Sequence, residues 1–315
     1  MDKETVFFSF VMGILKKKPI KAFCICLTLV LLLTGVFFCR KPVILVLDRP
    51  FAALYGESRR QKKQFALSLG LFRPIKTVNI AEGSGPDLAA QGAAGLSRRP
   101  FAVFFPYRYR EGARRYRKNQ PDTPVIILGG RNKNLELSNS NEPLWVWTDT
   151  KTDLYRAGIF AGIAARQAAG VHGRGIALYW DEPGEAEKAA FQRGLREQQW
   201  YNEPLLSPDS EDDEYACAVF LSDFPLPLNE EAGGGSFILF SWMDPSIVPQ
   251  RTLAVFDDSP WAQIGPVLEN IKKGAAAGFI PSDIIIPGTD KTLKMIYKEI
   301  NEQKTLKYGG ENADN

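Results

Sequence analysis

The chain has 315 residues, of which 45% are hydrophobic and 24% charged, and a net charge of +3. That balance excludes a disordered or fibrous polymer and leaves little whole-molecule attraction for nucleic acid. Three of the 4 cysteines (Cys24, Cys26, Cys39) share one apolar run and Cys217 stands alone elsewhere, so the remainder of the chain has no internal disulfide framework.

That run, Ala22–Cys39 (AFCICLTLVLLLTGVFFC), carries no charge between Lys21 and Arg40. Its length is close to the roughly 18–20 residues a helix needs to cross a hydrocarbon core, which predicts a transmembrane anchor. Lys16, Lys17, Lys18 and Lys21 precede it, whereas Arg40 and Lys41 follow. The positive-inside bias then places residues 1–18 in the cytoplasm, 19–40 in the membrane and the rest on the extracytoplasmic (periplasmic) side. A cleaved signal peptide is the rival, but Phe37 and Phe38 before Cys39 lack the small residues of a processing or lipoprotein site.

Beyond residue 41 one rhythm repeats: a short β-branched or aromatic run, a turn, an amphipathic segment. The strands expected are VILVLD (43–48), KTVNIA (76–81), FAVFFPY (101–107), PVIILGG (124–130) and LWVWTD (144–149). Between them lie a helix over 57–71, with Phe65, Leu69 and Phe72 at helical spacing, a Gly/Ala-rich helix over 86–96, and the basic segment 107–119, read as a solvated helix face. The pattern restarts with a helix over 153–169, rich in small residues (Ala157, Gly158, Ala161, Gly162) that permit close packing. Strand 175–181, helix 184–200, strands 217–223, 236–244 and 252–258, helix 260–273, strand 283–288 and helix 291–302 follow. Cys217 reads as apolar filler, and residues 307–315 as a disordered polar tail.

Continuous apolar strands alternating with helices predict parallel sheets covered on both faces. Two such units give an α/β fold of two Rossmann-like lobes: residues 42–150 plus 251–290, and 151–250 plus 291–306. Ligands of open parallel sheets sit beyond the carboxyl ends of the strands, so facing lobes form a cleft that hinge closure seals.

The order of elements resembles the type I periplasmic solute-binding proteins, and within them the basic membrane protein group, whose better-known members bind nucleosides. TDLYRAGIFAGIAA (152–165), GRGIALYWDEPGEAEKAAFQRGLRE (173–197, with Phe191 and Gly194) and TLAVFDDSPWAQIGPVLENIKKG (252–274) carry the resemblance. The first strand departs from it, ending in LDRPF instead of a glycine-rich turn. The resemblance implies a membrane-anchored solute-binding protein that closes on a small polar ligand, nucleoside-like or sugar-like, and serves an ABC-type importer. The alternatives are a ligand-sensing receptor with a membrane partner, or a degenerate binding fold with a scaffolding role in the envelope. No cofactor, metal or nucleic acid is implied.

On that fold the ligand-binding candidates are Asp48, Arg49, Phe51, Tyr107, Arg131 and Asp149 from the first lobe, with Trp180, Asp223, Trp242 and Asp258 from the second lobe and the return crossing. Flat aromatic faces beside carboxylates suit a planar or ring-shaped polar solute. The competing role for each acid is capping the helix that follows its strand, and Trp145 and Trp147 are expected to pack on their sheet. Catalysis finds little support: the single histidine, His172, sits in a turn, and no CxxC, HExxH or P-loop spacing occurs in the extracytoplasmic part.

Overall fold

The structure is a computed structural model of the full chain. It describes residues 19–81, 83–129, 142–168, 175–180, 184–202, 204–206, 215–221, 235–240, 248–273, 278–287 and 297–298. Arg131, His172, Asp223, Trp242 and the expected helix over 291–302, apart from 297–298, lie outside them.

Helix α1 spans Pro19–Cys39, 21 residues with a strongly apolar sequence, about 31 Å at 1.5 Å per residue. Side chains are described from Phe23 onward. Over the described residues no helix is long and apolar enough to cross a membrane. Phe23, Leu29, Leu31, Leu32 and Phe38 are all exposed on α1.

The first lobe runs β1 (Val43–Asp48), α2 (Arg49–Tyr55), α3 (Glu57–Leu71), β2 (Ile75–Ile80), α4 (Pro86–Leu96), β3 (Ala102–Pro106), α5 (Arg110–Asn119), β4 (Val125–Leu128) and β5 (Leu144–Thr148). The second continues with α6 (Thr150–Gln167), β6 (Gly175–Tyr179), α7 (Glu185–Glu197), β7 (Leu205–Leu206), β8 (Tyr215–Phe220), β9 (Ser236–Phe240) and β10 (Thr252–Asp257). Helix α8 (Pro260–Lys272), β11 (Gly278–Ile280) and β12 (Asp283–Ile285) complete the described elements.

Two six-stranded sheets form, in the orders β2-β1-β3-β4-β5-β11 and β7-β6-β8-β9-β10-β12. All pairings are parallel except β10 with β12. Strict alternation divides the first core. Val43, Leu45, Leu47, Phe104 and Ile126 face Trp261, Ile264 and Leu268 of α8, while Ile44, Val46, Val103, Phe105 and Ile127 face α4 and α5. In the second lobe Ile176, Leu178, Cys217, Val219, Phe240 and Phe256 bury against α6 and α7.

Over the described residues the chain crosses between lobes three times: from β5 into α6, from β10 into α8, and from β11 into β12. The expected boundary at residue 251 meets a different topology, because β10 pairs with β9 inside the second sheet and the return crossing comes after Asp257. On α3 the expected apolar stripe points outward: Phe65 and Leu69 are 67% and 55% exposed. Leu67 and Leu71 pack inward instead, because the inner face also carries Arg59 and Lys63 to carboxylates of the second lobe.

Candidate functional site

Asp48 closes β1 and is the N-cap of α2, its Oδ1 accepting from the Phe51 backbone N–H at 2.9 Å. Pro50 at the start of α2 suits a position whose N–H has no intrahelical partner. The cap turns the chain so that Phe51 lies over the carboxyl end of the sheet. There Leu47, Asp48, Phe51, Pro106, Leu128, Asp258, Ser259, Pro260 and Gln263 line a pocket of about 180 Å³. A cavity of about 150 Å³ admits benzene, so the pocket has room for one small ring.

The pocket adjoins the crossings. Thr148 at the end of β5 accepts from Gln263 Nε2 at 3.2 Å through its Oγ1, and the same hydroxyl donates to Asp258 Oδ2 at 3.4 Å. Asp149 N–H donates to the Ile280 carbonyl at 2.9 Å, joining the first crossing to the third. Asp153, fully buried in α6, accepts from Ser282 N–H at 2.9 Å and from Ser282 Oγ at 2.5 Å, while Arg156 donates to the Ser282 carbonyl at 3.2 Å. All three crossings are thereby laced to one another.

A second set of charges spans the lobes beside the pocket. Arg59 and Lys63, one turn apart on α3, reach Asp257 and Asp283 at 2.5 Å each. Those two acids are antiparallel register partners on β10 and β12. The Tyr55 hydroxyl donates to Asp257 at 3.4 Å, and the Arg59 guanidinium lies 4.2 Å from the centre of the Tyr55 ring. Burial pushes the Asp257 carboxyl above its ordinary range despite the opposing pull of Arg59. Burial, and next the charge of Asp257, also raises the Tyr55 hydroxyl.

Of the sequence candidates, Asp48, Phe51 and Asp258 come together in the pocket. Arg49 is exposed at the first position of α2. Tyr107 follows the pocket residue Pro106 but packs toward Trp145 and Trp147, with Arg110 4.8 Å from its ring centre. Asp149 caps α6, accepting from Thr152 N–H at 3.1 Å and Thr152 Oγ1 at 2.7 Å. Trp180 packs against the second-lobe core. Trp145 and Trp147 stack on each other, ring centres 5.5 Å apart, as expected of sheet packing. Cys217 is fully buried, and burial pushes its thiol up, away from reactivity. Among the described residues no three His, Cys, Asp or Glu side chains gather as metal ligands.

Sequence reasoning missed Gln263, Ser259 and the pairing of Arg59 with Asp257. Gln263 had a legible signal: it is a polar residue one turn before Val267 in a helix whose inner face is otherwise apolar, with Trp261, Ile264 and Leu268 buried beside it. The ion pair spans 198 positions and had none.

No protein-family model matches the chain, and no curated protein matches its sequence. Solved structures do. A transcriptional activator of the comK gene from Bacillus halodurans aligns at 12% identity over 84% of this chain and 95% of that one, with a TM-score of 0.50. An ABC transporter system solute-binding protein from Aeropyrum pernix K1 aligns at 11% identity over 84% and 81%, TM-score 0.43. A LacI family transcriptional regulator, CCPA, from Weissella paramesenteroides, with bound glucose, aligns at 12% identity over 80% and 100%, TM-score 0.44. Such identities speak to fold alone. The chain's own fold is two α/β lobes of mostly parallel sheet joined by crossings, with a pocket at the strand ends, and it is similar overall to the comK activator structure.

Proposed function

We propose that this chain is a membrane-tethered solute-binding protein of the basic membrane protein kind, with α1 as its anchor. In this reading the two lobes close on a small polar ligand and hand it to an ABC-type importer. The observation that carries the ligand-binding role is the pocket beyond β1, β3 and β4, which sets the Asp48 and Asp258 carboxylates beside the Phe51 ring. Carboxylates accept hydrogen bonds from hydroxyls and amines, and an aromatic face covers a flat ring, so a nucleoside-like or sugar-like solute suits the lining. The role asked of these residues is recognition without chemistry. Thermal unfolding of the full chain against nucleosides, sugars and amino acids tests the reading: one class raises the midpoint saturably, and a flat response to all three refutes it.

A second reading, ligand sensing passed to a membrane partner, is favoured by one contact. Phe37 of α1 meets Phe72, the residue ending α3, with ring centres 5.8 Å apart. Helix α3 also carries the Arg59 and Lys63 bridges to the second lobe, so a change in lobe angle has a material route to the anchor.

A further inference from the structure

Strands β2, β1 and β3 are parallel neighbours, with Val43 in register with both Ile75 and Ala102. Their starting ends therefore lie on one edge, the edge where the chain leaves α1. Each strand is entered through a basic segment: Arg40–Lys41 before β1, Arg73 before β2 and Arg98–Arg99 before β3. With strands spaced by ~4.8 Å, the three entries fall within about 10 Å of one another across the sheet. Backbone bonds extend the ladder into them, from Val43 N–H to the Pro74 carbonyl at 2.9 Å and from Phe101 N–H to the Pro42 carbonyl at 2.7 Å.

The side chains are posed at this edge. The Arg73 guanidinium lies 3.9 Å from the Phe101 ring centre and donates to the Lys41 carbonyl at 3.3 Å. Arg40 lies 4.9 Å from the ring centre of Phe72, which itself meets Phe37 of α1. Arg40, Lys41, Arg98 and Arg99 are exposed. No ion pair joins any of the five cations to a carboxylate among the described residues. Burial, and next the charge of Arg40, lowers the pKa of Arg73.

We propose that this edge is a docking surface for the head groups of anionic phospholipids, seated by Arg40, Lys41, Arg73, Arg98 and Arg99. The proposal rests on the reading of α1 as a membrane anchor, which sets the edge against the bilayer surface. Phosphodiester oxygens then supply the missing counter-charges, and the first lobe is held upright with its pocket away from the membrane.

The test uses full-length protein in nanodiscs of phosphatidylcholine alone or phosphatidylcholine with phosphatidylglycerol, read by amide hydrogen exchange. Segments 40–42, 72–76 and 97–101 should exchange about tenfold more slowly in the anionic discs, with high salt removing the effect. The variant R73Q/R98Q/R99Q should lose that difference. R98Q/R99Q, which leaves the Arg73–Phe101 stack intact, should reduce it. Equal exchange in both discs, with the protein inserted, overturns the proposal and spares the anchor. Protein that enters neither disc overturns the anchor reading. Flotation with phosphatidylglycerol vesicles then decides the edge by itself: salt-sensitive binding lost in the triple variant supports it, and no binding overturns it.

Discussion

In the first lobe α4 and α5 cross at Gly112, where a Cβ would stand 2.8 Å from the Pro86 carbonyl oxygen and 3.1 Å from the Ala89 Cβ. In the second lobe α6 and α7 cross at Gly158 and Gly194, where a Cβ would stand 2.2 Å from the Phe191 carbonyl oxygen and 2.1 Å from that of Tyr155. One strand order thus supports two styles of construction. The second lobe presses backbone against backbone in one crossing, and any added carbon must push two helices apart. The first lobe packs more loosely at its glycine and carries the cations, Arg59 and Lys63, that hold the second lobe's Asp257 and Asp283.

The largest expected effect breaks the bridge between the lobes. Arg59→Met leaves the fully buried Asp257 without its guanidinium and should cost about 3–5 kcal/mol, because a buried charge loses its partner. Adding Asp257→Asn should recover most of the loss. Urea unfolding of Arg59→Met, Asp257→Asn and the double variant checks both statements, and additive losses of the two single variants would mean that the pair is not coupled.

Next come the helix crossings. Gly194→Ala should destabilise by about 1–3 kcal/mol through overpacking. Gly112→Ala should cost less, since the helix propensity of alanine offsets a milder contact by about 0.5–1 kcal/mol. A larger loss at Gly112 would reverse the contrast between the lobes.

A smaller effect is the pH dependence owed to Asp257. Burial raises its carboxyl pKa in the folded protein, so between the ordinary carboxylate value and the raised one the native state binds more protons than the unfolded chain. The stability contribution of this group is therefore greatest at low pH and falls as pH rises through that window. Asp257→Asn should flatten that part of the stability profile, measured by chemical denaturation across acid to neutral pH.

The smallest effect on stability is expected at the pocket. Asp48→Asn keeps a good N-cap for α2 and should change stability by less than about 0.5 kcal/mol. It removes the carboxylate facing the pocket, so ligand-dependent stabilisation should drop while the melting point of the free protein stays put. Together these outcomes separate the cap role of Asp48 from recognition.

Much of this architecture was legible in the chain because its strands are short, apolar and bounded by prolines and acids. Val43–Asp48 is an example, ending in an acid that turns out to cap α2. The allegiance of β10 was not legible, because an apolar strand looks alike in either sheet and only its neighbours decide. The spacing of Phe65 and Leu69 was read correctly as helical, but periodicity does not say which face turns inward. A third of the pocket lining was readable, since Asp48, Phe51 and Asp258 lie at or just after strand ends. Gln263 comes from within a helix, and the basic edge gathers residues from three separated segments, so both needed the fold.

The account's central claim is that the pocket beside Asp48, Phe51 and Asp258 holds a small polar solute. Mass spectrometry of small molecules extracted from the purified full chain tests it most directly. The account predicts one polar compound in near-stoichiometric amount from the native protein and its loss from Asp48→Asn. A native protein that carries no such compound, or a variant that retains it in full, would contradict the claim.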